Sequence, residues 1–144
     1  MPRRTRNTRR GARAALQADP RMAEAAYNLG ILLGKDRVDE AVQLCRKAYE
    51  LRPENPKYGY TLAFYLNQKG DLAGAARVLQ ETLFRQPGYG DAYMLLGEIY
   101  ARQGQKEKAA GLYLQALRSK SLPESDRARI GAKMQELAAS KSQK

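Results

Sequence analysis

PKYGYTLAFYLNQKGDLAGAARVLQETLFRQPGY, residues 56–89, is largely repeated by the chain on either side of it. A shift of 34 positions lands small residues on small residues: Ala41, Ala75 and Ala109, then Ala48, Thr82 and Ala116. The same shift lands Gly70 on Gly104, Leu62 on Leu96, Ala63 on Gly97 and Pro53 on Pro87. Cys45, Leu79 and Tyr113 form one bulky apolar column, and Tyr49, Leu83 and Leu117 form another. A period of this length marks a repeat architecture, in which each unit is one supersecondary element that must stack on its neighbours.

Within a period the apolar spacing is helical. Val38, Ala41, Leu44, Cys45, Ala48 and Leu51 recur at three and four residues, which places them on one helix face. Nothing alternates with a period of two, so no strand is expected. The pattern predicts helix pairs over 23–34 and 37–52, 57–69 and 72–86, and 90–103 and 106–120. Gly70 and Gly104 fall at the hairpin tips, where glycine tolerates the positive φ that ends many helices. The Lys35-Asp36 turn is one residue shorter than its counterparts, so Leu29 to Leu62 spans 33 positions.

These columns resemble the tetratricopeptide repeat (TPR) family. The third unit matches it at Tyr93, Leu96, Gly97, Tyr100, Gly104, Ala109, Tyr113 and Ala116, although its terminal proline is missing. The second matches at Leu62, Ala63, Leu66, Gly70, Ala75, Leu79 and Pro87, and the first at Leu29, Gly30, Ala41, Ala48 and Pro53. The resemblance implies an all-α solenoid, a right-handed superhelix of antiparallel hairpins. It divides the chain into a basic arm (1–11), a partial repeat helix (12–22), three units (23–55, 56–89, 90–122), a capping helix (123–139) and a tail (140–144). Pro20 lies 33 residues before Pro53. Residues 12–20 therefore read as the last turns of a severed earlier unit, ended by Pro20. Leu29, Leu33, Leu62, Leu66, Leu96 and Tyr100 are expected between the layers. Ser121 and Glu124 fit a capping box that opens the last helix. That helix has an apolar stripe of Ile130, Met134, Leu137 and Ala138, and a charged face of Arg127, Arg129, Lys133 and Glu136.

The family's business is binding segments of other proteins, on a concave groove lined by the first helix of each unit. Carried over by position, that face is Tyr27, Asn28, Ile31 and Lys35 in unit one. Unit two gives Lys57, Tyr60, Thr61, Phe64, Asn67 and Gln68, and unit three gives Asp91, Met94, Leu95, Glu98 and Arg102. The residues stand out independently, because several are apolar or aromatic yet lie off the stripe that packs each hairpin. Tyr60 and Phe64 are four apart and so neighbours on one face. Aromatic rings give contact area at low entropic cost, and an amide such as Asn67 can pair with a ligand backbone. The alternative is that Tyr27, Tyr60 and Phe64 pack on one another, and that Glu98 and Arg102 form an i,i+4 ion pair. Family members that clamp chaperone carboxyl termini use Lys, Asn, Asn, Lys and Arg at five groove positions. Here Tyr27, Ile31, Thr61, Asp91 and Leu95 stand there, so that clamp is not expected.

Composition bounds the remaining classes. The 144 residues carry 26 Lys and Arg against 15 Asp and Glu, with no histidine. Residues 1–21 hold seven of the bases and one acid, so the arm is basic while the repeat body is close to balanced. The arm, Arg3 to Arg13, reads as a flexible leader or as a site for nucleic acid or another polyanion, whose affinity would fall steeply with salt. No catalysis, metal or cofactor is expected: there is no histidine, no phosphate loop, and a single cysteine, Cys45, in a core column. Asp36, Asp39 and Glu40 read as solvated acids at a helix start. No apolar run reaches the ~20 residues of a membrane span. MPRRTRNTRR is not followed by the apolar segment of a secretory signal, which favours a cytoplasmic location. The half repeat leaves apolar surface for self-association, and suggests the carboxyl-terminal module of a longer protein.

Overall fold

Seven helices follow one another in the computed structural model, which describes residues 20–142: α1 (Pro20–Leu33), α2 (Val38–Leu51), α3 (Pro56–Lys69), α4 (Leu72–Arg85), α5 (Gly90–Arg102), α6 (Lys106–Arg118) and α7 (Glu124–Ser142). The arm and most of the proposed half repeat, residues 1–19, lie outside the described residues. Among the described residues there is no strand, and no helix is long and apolar enough to cross a membrane.

Local chemistry sets the boundaries. Asn55 caps α3 by accepting from the Lys57 amide at 3.1 Å, and Pro56 follows as its first residue, where the missing N–H costs nothing. Asp71 caps α4 through the Gly74 amide at 2.9 Å. Gly70 and Gly104 hold φ of 95° and 76°, the left-handed turn expected at the hairpin tips. Pro20 is the first residue of α1, a position that proline's fixed φ favours; the helix expected to end before it falls on residues 12–19, outside the described residues.

The helices pack in sequence order, α1 on α2, α2 on α3, and so on to α6 on α7. In addition, α3 touches α5, and α5 touches α7. The core is one continuous row. Ala41, Ala75 and Ala109 are fully buried, as are Cys45, Leu62, Ala63 and Leu79. Small residues allow the helices of a hairpin to approach closely. A Cβ on Gly30 would sit 2.9 Å from Cys45 Sγ, and one on Gly97 would run into the Tyr113 ring. Larger side chains then fill the layers between units, with Leu66, Leu96 and Tyr100 all buried. Leu29 departs from this column, being 47% exposed, and Leu33 is only half-buried. On α1 no second helix among the described residues covers that side.

The carboxyl-terminal end is closed differently from the sequence expectation. Ser121 does not cap α7; its hydroxyl pairs with that of Ser119 at 3.0 Å, and the helix starts at Glu124. Nor does Arg127 belong to a solvated face. Its guanidinium turns back and donates to the carbonyls of Leu117, Ser119 (2.9 Å) and Leu122 (3.4 Å). The Leu117 carbonyl lies in the last turn of α6, where carbonyls lack intrahelical partners; the other two lie in the turn before α7, and that of Ser119 also accepts from the Leu122 amide at 3.4 Å. Its Nε lies 3.4 Å from a Glu124 carboxylate oxygen, an ion-pair separation without a hydrogen bond. Ile130 is fully buried, Met134 and Leu137 are partly buried against the core, and Ala138 is exposed. Arg127→Ala should therefore cost about 2 kcal/mol, since hydrogen bonds from a charged donor contribute about 1.5–3 kcal/mol. Urea unfolding measures it. Arg127→Lys should recover only part, because an ammonium cannot span three acceptors set out around a planar fork.

Candidate functional site

The first helices α1, α3 and α5 carry the face marked out by the sequence, and the structure separates its residues into two groups. One group is internal. Tyr27 is 8% exposed and Thr61 is 9% exposed. The Tyr27 ring packs on Tyr58 at 5.0 Å, and the Thr61 hydroxyl donates to the Tyr27 hydroxyl at 3.4 Å. These two residues join α1 to α3 rather than presenting themselves to a ligand. Leu95 is buried, and Met94 is half-buried against the core.

The other group is accessible. Ile31 is 43% exposed and Phe64 is 38% exposed. They hold the same register in adjacent units, one on α1 and one on α3. The Phe64 ring meets Tyr65 edge-on at 5.5 Å, so its base is fixed while its outer edge is open. Asn28, Lys57, Glu98 and Arg102 are exposed, and Asn67 is partly so. The Lys57 ammonium sits 4.9 Å above the Tyr27 ring, a cation–π contact of about 0.5–1 kcal/mol at an exposed site.

Arg102 and Glu98 do not pair as their spacing predicts. Arg102 instead donates to the Asn67 side-chain oxygen at 2.9 Å, across the boundary between units. Among the described residues Glu98 then has no ion pair, and the Asn67 side-chain oxygen is occupied by Arg102. Near the first turns of α7, Tyr60 is half-buried with its ring edge on Tyr89 at 6.2 Å. Burial raises both phenols, Tyr89 to about 12, with the Asp91 carboxylate adding to each. Both therefore stay neutral hydrogen-bond donors at physiological pH. Asp91 accepts from Arg129 at 2.7 Å, and this hydrogen bond raises the guanidinium above its ordinary range. Arg129 also reaches Asp126 at 3.2 Å.

The outer face, on α2 and α4, holds a feature that sequence reasoning missed. Tyr49 donates to Glu81 at 2.8 Å and accepts from Arg85 at 3.0 Å. Beside it, Arg46, Leu66, Asp71 and Arg77 help to line a depression of about 400 Å³. Charged residues 32 and 36 positions away gave no local signal; alone, each reads as solvated surface. Asp39, similarly read as solvated, pairs with Lys69 at 2.8 Å.

Chemistry beyond binding finds little footing in the described residues. No three His, Cys, Asp or Glu side chains gather as a metal site. Cys45 is fully buried, and burial pushes its thiol up to about 11, so the thiolate nucleophile is disfavoured near neutral pH.

The tetratricopeptide repeat family model matches residues 3–56 and 60–125. The chain belongs to the tetratricopeptide repeat family. Its TPR units are 32% identical over 83 residues to tetratricopeptide repeat protein 7A of Homo sapiens, covering 58% of this chain and 10% of that protein. They are 32% identical over 96 residues to the TPR repeat-containing thioredoxin TTL4 of Arabidopsis thaliana, covering 67% and 14%. The interferon-induced protein with tetratricopeptide repeats 3 of Mus musculus is 27% identical over 109 residues, covering 73% and 27%. The TPR chain thus spans between a tenth and about a quarter of these relatives. Among solved structures, the first TPR of Spaghetti (RPAP3), bound to the HSP90 peptide SRMEEVD, superposes with a TM-score of 0.70 at 18% identity, covering 86% of this chain and 98% of that one. PcrH, in complex with the chaperone binding region of PopD, gives 0.69 at 18% identity, covering 82% and 92%. At that identity these likenesses establish the TPR solenoid.

Proposed function

We propose that the face of α1, α3 and α5 is a groove that binds a segment of a partner protein, and that the chain acts as a non-catalytic interaction scaffold. The observation that carries this reading is the pair Ile31 and Phe64: two apolar side chains open to solvent at one register on adjacent first helices. Beside them lies the Asn67–Arg102 bond. Apolar anchors held on rigid helices, flanked by polar groups able to pair with a ligand backbone, suit an extended or helical segment. Both structural neighbours were captured with a segment of another protein, which supports the same reading. The carboxylate clamp is not part of it. At its five positions stand the buried Tyr27, Thr61 and Leu95, the apolar Ile31, and Asp91 already engaged by Arg129.

The test uses peptides selected on the full chain from a displayed library of random sequences. Phe64→Ala is expected to weaken the selected peptides by about tenfold or more, about 1.4 kcal/mol. Phe84→Ala, on the far side at 89% exposure, should leave them unchanged. Calorimetric titration reads both. Peptides that bind wild type and a Ile31→Ala, Phe64→Ala double variant equally well would sink the groove.

A further inference from the structure

The column that holds the two apolar anchors has a third member of different chemistry. Ile31 and Phe64 are 33 positions apart, and 34 positions further on the same column reaches Glu98 on α5. Ile31 and Phe64 are open to solvent, and Glu98 is exposed as well. Along the array the column therefore runs apolar, apolar, acid. Of the two acids on α5, Asp91 is met by Arg129 at 2.7 Å, while Glu98 has no ion pair among the described residues. Arg102, one turn further along α5, is held by the Asn67 side-chain oxygen of the neighbouring unit. The carboxylate of Glu98 is thus left available at the end of an apolar row.

The spacing of the row suits one backbone form. Helices α3 and α5 touch, and helices in contact lie ~8–10 Å apart, axis to axis. A polyproline II segment advances ~3.1 Å per residue with three residues per turn, so ~9 Å separates side chains that point the same way. Laid across the first helices, it offers every third side chain to one unit after another. We infer that this face takes an extended segment with two apolar side chains three residues apart, followed at three residues, in either chain direction, by a lysine or arginine. The apolar pair sits on Ile31 and Phe64, and the cation meets Glu98. This rests on the groove reading and narrows it to one partner chemistry. An acidic segment would set like charges against each other at Glu98, a juxtaposition that suppresses wrong partners. An arginine there can fork onto both carboxylate oxygens.

Peptides selected on the full chain from a displayed random library, then titrated against purified variants, test the inference. The selected sequences should carry a lysine or arginine three residues from the nearer of two apolar side chains spaced at three. Glu98→Lys, a change at an exposed position, should weaken them about tenfold or more. Replacing the peptide's basic residue by glutamate should then restore binding to that variant. Glu98→Gln should weaken them about threefold, a loss that shrinks as salt rises and screens the pair. Glu50→Lys, the same charge change beside the depression on the outer face, should leave them unchanged. Peptides weakened by Phe64→Ala yet free of basic residues, or indifferent to Glu98→Lys, would overturn the inference and leave the groove standing. Peptides indifferent to Phe64→Ala would overturn both.

Discussion

Replacing Tyr93 with alanine is expected to lower the free energy of unfolding by about 3–5 kcal/mol, the range for truncating a large buried aromatic. Tyr93 is 1% exposed, and its hydroxyl donates to the Pro87 carbonyl at 2.7 Å. The ring fills the layer between α4 and α5, while the hydroxyl fixes the loop that sets their angle. Tyr93→Phe separates the two roles: it retains the ring and should cost only about 1 kcal/mol, the net worth of one hydrogen bond. In an array where each unit contacts only its neighbours, the loss falls first on the third unit and α7. Urea unfolding followed by circular dichroism should show a shallower or split transition for the alanine variant. A loss below about 1 kcal/mol would mean that the layer collapses around the gap, contrary to a close-packed core.

A second large effect is a contrast within one column. Leu62→Ala should cost about 2–5 kcal/mol, because the side chain is fully buried and its removal leaves a cavity. Leu29→Ala, at the equivalent position of the first unit, should cost under about 0.5 kcal/mol in the dilute chain, as for other surface changes. Sequence alone treats these leucines as equal. Thermal unfolding at low concentration compares them, and equal losses would show that Leu29 is covered in the monomer.

The fold was legible because the repeat supplies several independent readings of each column. Ala41, Ala75 and Ala109 agree on a close crossing, and all three are fully buried. Gly70 and Gly104 agree on a hairpin tip, and both take positive φ. What was misread lies where the repetition stops. Leu29 inherited a core role from its column, but its exposure depends on whether something packs before it. Arg127 and Ser121 sit past the last period, where no column constrains them. The candidate face was half legible. Period and spacing located Ile31, Phe64, Asn67 and Arg102 on the first helices. They could not show that Tyr27 and Thr61 bond to each other, or that Arg102 chooses Asn67 over Glu98. Those choices depend on distances between units, which no spacing within a unit encodes.

The turn of Arg127 onto the end of α6 also sets a rule for building with this chain. The carbonyls it holds belong to one repeat, while the guanidinium belongs to the helix after it. A graft that joins a further unit directly after Leu122 deletes the donor and keeps the acceptors. A unit spliced in between Tyr89 and Gly90 keeps both, and meets on each side a junction of the kind already present between α4 and α5. Lengthened arrays should therefore be made by insertion in the interior and never by addition at the carboxyl-terminal end.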